Sequence, residues 1–146
     1  MNMIIPIKLL NALAKVPTRG SEYAAGYDLY AAIENTVDIA PHSTVKIGTG
    51  IACEFPVGTF GAIFARSGLA TKKGLRPANC TGVVDADYRG QVIVALHNDT
   101  DEMMSIEPHE RIAQLVLMDF NAMEFQIVDE LNETERGGCG FGSTGQ

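Results

Sequence analysis

Turn-forming residues interrupt this chain so often that no long helix fits between them. They fall at Pro17 to Gly20, Asn35, Pro41-His42, Gly48 to Gly50, Pro56 to Gly58, Gly74, Gly82, Gly90, Asn98 to Asp101 and Pro108. Each sets a backbone angle or offers a side-chain acceptor that a turn needs. The runs between them are short and rich in β-branched and aromatic residues, as in Thr44 to Ile47, Thr59 to Phe64, Gln91 to Leu96 and Ile112 to Met118. Many short strands at this spacing predict an all-β fold: a β-sandwich, jelly roll or barrel. No segment carries a sustained 3.6-residue apolar period. One short helix is predicted, with Ser67 as N-cap, Gly68 to Lys73 as its body, and Gly74 as the left-handed residue that ends it. With 146 residues, 46% of them hydrophobic, and no internal repeat or linker, the chain predicts one domain with a substantial core.

Charge narrows the classes of function. The formal net charge is -7 and the pI is near 4.8. Such a chain is a poor candidate for direct nucleic-acid binding, which requires a basic face, and none is expected. It can still hold a small phosphorylated ligand, which needs only a local cluster of cations and backbone N–H groups. Cys53, Cys80 and Cys139 are widely spaced and form no C-x-x-C pair or zinc-spaced set with a His, so they predict reduced thiols. Lys8 interrupts the N-terminal apolar run, and no basic segment precedes it. No signal peptide or membrane association is therefore expected, and the expected place is the cytoplasm, or the nucleus in a eukaryote. His42, His97 and His109 form no metal-spaced cluster and are expected to be surface or packing residues.

Four segments hold residues capable of chemistry. Arg66-Ser67-Gly68 opens the short helix, so a guanidinium, a hydroxyl and free N–H groups converge as an anion site. Gly82-Val83-Val84-Asp85-Ala86-Asp87-Tyr88-Arg89-Gly90 reads as a β-hairpin with a wide polar tip. There a carboxylate could deprotonate a water and a Tyr ring could pack on a sugar. Gln114 stands alone among the apolar residues of Glu110 to Val116. It reads either as a solvent-facing residue on an alternating strand or as a ligand contact, because a buried amide needs partners. The C-terminal stretch Arg136 to Gly145 has the content of a phosphate cradle, but lacks the ending of a Walker loop and any helix to follow it. Its glycines will not order without a ligand.

Taken in order, these segments resemble the trimeric dUTP diphosphatase (dUTPase) family. The resemblance runs from Ala24 to Gly145. It is carried by Ala25-Gly26-Tyr27-Asp28-Leu29-Tyr30-Ala31-Ala32, Ala65-Arg66-Ser67-Gly68-Leu69-Ala70, Asn79 with Gly82 to Gly90, Glu110 to Leu115, and the tail. It implies a jelly-roll-like domain over residues 1–135 with a lid over 136–146. It also implies a homotrimer whose C-terminal arm reaches a neighbouring subunit, with sites at subunit boundaries. The implied reaction converts dUTP to dUMP and pyrophosphate with Mg²⁺. That would limit uracil incorporation into DNA and supply dUMP for dTMP synthesis.

By the same resemblance, Asp85 would activate the water that attacks the α-phosphorus. Asn79 and the Gly82-Val83 backbone would read uracil, and Tyr88 would pack on the deoxyribose. Arg66, Ser67, Gly68 and Gln114 would hold phosphates and help place the water, and Asp28 would reach the metal through water. Phe141 would cover the base, while Arg136, Gly142, Ser143 and Thr144 would close on the β- and γ-phosphates. The chain departs from the family pattern at Cys139, where glycine is usual; if that position needs a positive φ, a cysteine there is strained.

Two other readings stay open on the residues. dCTP deaminases share the fold, but lack the Asp-x-Asp-Tyr-Arg-Gly form of Asp85 to Gly90, and no deamination Glu/Arg pair is evident. A nucleotide-gated binding protein would instead use the ordered tail to contact a regulatory protein partner.

Overall fold

The structure, a computed structural model, describes residues 3–140. The elements in order are β1 (Ile7–Leu9), β2 (Thr18–Arg19), β3 (Tyr27–Tyr30), β4 (Val37–Ile39), β5 (Thr44–Gly48), β6 (Ile51–Cys53) and β7 (Thr59–Phe64). There follow α1 (Ser67–Lys73), β8 (Leu75–Pro77), β9 (Gly82–Val84), β10 (Ile93–Asn98), β11 (Met104–Ile106) and β12 (Arg111–Asp119). Every pairing is antiparallel. One sheet runs β2-β3-β12-β7-β9 and a second runs β5-β10-β8; β11-β4 and β1-β6 form two small ribbons.

The apolar pattern explains why the sheets stack. In β10, Val94, Leu96 and Asn98 are buried and alternate with more exposed neighbours, as a pleated strand with one inner face requires. Val94, Leu96, Ile47 and Leu75 from the smaller sheet join one core with Leu29, Ile63 and Leu115 from the larger. Each such side chain contributes roughly 1.5–3 kcal/mol when removed from water. The result is a β-sandwich with one short helix, within the all-β classes that the turn spacing predicts and of the jelly-roll-like form that the resemblance implies.

One buried polar residue ties the layers. Asn98 is 0% exposed. Its Nδ2 donates to the carbonyls of Ile39, Ala40 and Glu102, and its Oδ1 accepts from the Thr100 N–H and hydroxyl. A residue that reads as a turn signal is therefore a hub joining β4, β10 and the loop to β11.

Two local expectations need correction. The segment Gly82 to Gly90 is not a hairpin. β9 pairs with β7, whereas β10 pairs with β5 on one edge and β8 on the other, so β10 has no edge left for β9. The tip is thus a crossover between the sheets. In the helix, Arg66 is the N-cap, with φ -87 and ψ 130, and no side chain caps it; Ser67 is already helical. An extended Arg66 lets its carbonyl accept the first helical bond, from the Ala70 N–H, leaving the Ser67 hydroxyl outside the capping role. Gly74 ends the helix in the left-handed region (φ 63), as its sequence position predicts.

After β12, Phe120 packs edge-on against Phe60 with ring centroids 6.4 Å apart. Residues 121–140 then form no strand or helix and are exposed.

Candidate active site

Strand register lines up a polar row on the outer face of the larger sheet. Thr18 pairs with Asp28, Asp28 with Gln114, and Gln114 with Phe64, across β2, β3, β12 and β7. Directly paired residues share a face, so the Asp28 and Gln114 side chains stand side by side. Leu29 and Ala113 on the same strands point into the core. Two residues past the end of β7, Arg66 turns back onto this row, and its Nε donates to Asp28 Oδ1 at 2.7 Å. Arg111 Nη1 lies 3.4 Å from the other oxygen, Asp28 Oδ2.

Arg111 is a member of this cluster that its sequence position does not reveal. It lies three residues from Gln114, an odd spacing that places two side chains on opposite faces of a regular strand. A bulge between Arg111 and Ala113 shifts the register, so Arg111 pairs with Tyr30 and Gln114 with Asp28, two residues away. The bulge brings both onto the outer face. Two guanidinium groups around one carboxylate leave the spot locally cationic on an acidic chain.

Gln114 is neither free in solvent nor aimed at open space. Its Nε2 donates to the Ala65 carbonyl at 2.9 Å, just ahead of Arg66. Its Oε1 lies directly over Gly26, where a Cβ would overlap it. Glycine at 26, just ahead of β3, thus leaves the room that the Gln114 amide occupies. Ser67 and Gly68, both exposed, follow Arg66 on the first turn of α1. The helix is pinned at its far end, where Lys73 Nζ pairs with Glu110 Oε1 at 2.7 Å.

A second group lies at the β9 end of the sheet. Gly82 and Val84 are buried while Val83 and Asp85 are exposed. The Tyr88 N–H donates to the Asp85 carbonyl at 3.1 Å, which turns the chain at the tip. The Tyr88 hydroxyl donates to the Gln91 carbonyl at 3.0 Å. Its ring lies so close over Gly90 that a Cβ there would overlap it. Asp85, Tyr88, Val83 and Gln91 line a cavity of about 220 Å³. Nearby, Asn79 is exposed in a tight turn closed by Thr81 N–H to Asn79 O, with Cys80 at φ 62. Arg76 braces the base of this turn, with Nε and Nη2 on the two oxygens of Asp99 at 2.7 and 3.0 Å. That contact raises the Arg76 pKa above its ordinary value, chiefly through the hydrogen bond and charge of Asp99.

One chain does not bring these two groups together. Gly61 pairs with Val84 on β9, whereas Phe64 pairs with Gln114 on β12, on the far side of β7. At about 3.3 Å per residue and 4.8 Å between strands, Asp85 stands on the order of 15 Å from Gln114. The third group is in the segment after β12. Arg136 Nε donates to the Cys139 carbonyl at 2.9 Å. The left-handed residue there is Gly137 (φ 52); Cys139 is not among the non-glycine residues of positive φ, so no such strain falls on it. Phe141, Gly142, Ser143, Thr144 and Gly145 lie outside the described residues.

A larger cavity of about 240 Å³ opens elsewhere, beside β1. Met3, Ile5, Ile7, Phe55 and Leu117 line it, and it offers little to a nucleotide. Cys53 also faces it, and burial pushes that thiol's pKa up. For a metal, no group of three or more His, Cys, Asp or Glu occurs among the described residues. Both Asp28 oxygens face guanidinium groups, so a hard cation would meet Asp28 only through its waters and would draw its direct ligands from phosphates.

A family model described as dUTPase matches residues 12–145. A deoxyuridine 5'-triphosphate nucleotidohydrolase of Desulfitobacterium hafniense is 47% identical over 132 residues, covering 90% of this chain and 87% of that protein. One of Saccharomyces cerevisiae is 43% identical over 143 residues, covering 97% and 95%. Among solved structures, a Staphylococcus bacteriophage 80alpha dUTPase with dUpNHpp superposes with TM-score 0.89 at 31% identity, covering 99% of this chain and 100% of that one. A dUTPase from phage phi11 of S. aureus, described with a structural Mg(II) ion, matches with TM-score 0.81 at 25% identity, covering 90% and 100%. The chain belongs to the dUTPase family.

Proposed function

We propose that this chain hydrolyses dUTP to dUMP and pyrophosphate, in sites assembled between the chains of a homotrimer. The observation that carries this reading is the row Asp28, Gln114 and Arg66, with Ser67 beside it. It is a compact, locally cationic spot suited to a polyphosphate, yet well separated from the Asp85 and Tyr88 cleft of the same chain. Asp85 and Gln114 would both have to reach the α-phosphate and its water, for which about 15 Å is too far within one chain, so a second chain brings its cleft to the first chain's row. Residues 136–146 act as a lid, reaching the site from a neighbour.

In this reading Asn79 and the Gly82-Val83 backbone read the uracil edge. Unpaired hydrogen-bonding groups then penalise cytosine more strongly than a simple clash would. Tyr88 packs on the deoxyribose and leaves no room for a 2′-hydroxyl. The Arg66 terminal amino groups, Ser67, Gly68 and Gln114 hold phosphate oxygens. Asp85, exposed at the tip, orients a water and takes its proton as the oxygen attacks the α-phosphorus; pyrophosphate leaves on the opposite side. The work is mostly positioning and charge neutralisation, and no covalent nucleophile is needed. A bound Mg²⁺ would add charge neutralisation on the phosphate oxygens, with Asp28 holding it through water. Phe141 covers the base, and Arg136, Gly142, Ser143 and Thr144 close on the β- and γ-phosphates. In the cell the reaction would limit uracil incorporation into DNA and supply dUMP for dTMP synthesis, with the cytoplasm as its place.

The test is Asp85→Asn. Turnover of dUTP should nearly vanish while the variant still binds a non-hydrolysable dUTP analogue. Unchanged turnover would remove Asp85 as the base.

A further inference from the structure

Gln91 joins the cleft of Asp85 and Tyr88 to the turn between β5 and β6. Its Oε1 accepts the Gly50 N–H at 2.9 Å. Gly50 is buried, sits at φ 69, and belongs to the tight link between β5 and β6. A Cβ at Gly48 would come within 2.6 Å of the same Oε1, so the amide occupies room that glycine at 48 leaves open. The next residue continues the junction. The Val92 carbonyl accepts both the N–H and the hydroxyl of Thr49, and the Val92 N–H donates to Ile51. The Gln91 main-chain carbonyl, meanwhile, accepts the Tyr88 hydroxyl at 3.0 Å.

We propose that Gln91 is a positioning residue for sugar specificity: its side chain, clamped on Gly50, fixes the carbonyl that holds Tyr88 over Gly90. The physical need is plain. Tyr88 is 45% exposed and lies at a crossover between two sheets, where no strand pairing restrains it. Its ring can act as a rigid wall only if something at its hydroxyl end is rigid. Gln91 provides that by tying one peptide to a buried turn on its side-chain end and to the ring on its carbonyl end. Without the amide, the buried Gly50 N–H loses its acceptor, and the Gln91 carbonyl keeps only the restraint of its own peptide's Val92 N–H on Ile51, so the β5–β6 turn and the cleft can shift against each other. The wall would then admit a 2′-hydroxyl more readily. This inference rests on Tyr88 packing against the deoxyribose.

The test compares kcat/KM for dUTP and UTP in Gln91→Leu, Gln91→Glu, Tyr88→Phe and Tyr88→Ala. Gln91→Leu should reduce the preference for dUTP over UTP by at least roughly fivefold, mainly by improving UTP. Gln91→Glu keeps an oxygen for the Gly50 N–H and should restore most of the preference, a rescue that a general packing role would not produce. Tyr88→Phe breaks the same chain at its other end and should show a similar loss, so it decides the matter if Gln91→Leu does not fold. A loss of preference in Tyr88→Ala, with none in Gln91→Leu or Tyr88→Phe, overturns the clamp alone. No loss in any of the variants overturns the role of Tyr88 and the clamp with it.

Discussion

Arg66 and Asp28, 38 residues apart in sequence, meet through a 2.7 Å contact between Nε and Oδ1. Both side chains are largely shielded, at 27% and 14% exposure, so this is not a screened surface pair. Removing the carboxylate leaves Arg66 and Arg111 facing each other without their shared acceptor. Asp28→Ala should therefore cost about 1–3 kcal/mol of stability, read from urea unfolding. It should also lower kcat/KM for dUTP, because Arg66 is no longer aimed. A variant of native stability and native activity would show that the pair positions nothing.

Gly26 offers a change that separates function from folding. A methyl group there overlaps Gln114 Oε1, the far end of a flexible side chain and not backbone. Gly26→Ala should displace the Gln114 amide and break its bond to the Ala65 carbonyl, at a cost of no more than about 1.5 kcal/mol. Turnover should fall by roughly tenfold or more, since Gln114 and the Ala65-Arg66 backbone both shift. Steady-state kinetics beside a melting curve checks it; a lowered melting temperature with unchanged turnover in the folded protein would place Gly26 in packing alone.

Asn98 has the opposite character. It is remote from the polar row, yet its amide serves three carbonyls and two Thr100 donors. Asn98→Ala strands those buried groups and should destabilise the chain by about 3 kcal/mol or more. Asn98→Asp should be no milder, since a carboxylate would face the carbonyls of Ile39, Ala40 and Glu102. Denaturant midpoints of the two variants within experimental error of the parent would contradict this.

If sites form between chains, two dead variants should repair each other. A site that takes Arg66 from one chain and Asp85 from another regains both when Arg66→Ala and Asp85→Asn chains are unfolded together and reassembled. Activity should return to a sizeable fraction of the parent value. If each site lies within a single chain, the mixture stays as inactive as its parts.

Much of this organisation is legible in the sequence because it is local. The run Thr59 to Phe64 coincides with β7, and Gly74 ends α1 where its conformational freedom is needed. What escapes is non-local. The Gly82 to Gly90 segment looks like a hairpin, but both edges of β10 are already taken by β5 and β8, and nothing near residue 90 encodes that. Arg111 is hidden because a bulge reverses the face that its spacing implies. Asn98 has the composition of a turn residue, and only the closure of the β4–β5 turn and the β10–β11 loop around it buries it. The motif residues were legible through family resemblance, whereas their division into two distant groups required the strand register.

The most direct test of the proposed activity is pyrophosphate release by the purified chain from dUTP, dTTP, dCTP and UTP, each with Mg²⁺ at matched concentrations. Rapid release from dUTP with little from the other three is the predicted result. Equal release from all four, or none from dUTP, would contradict it.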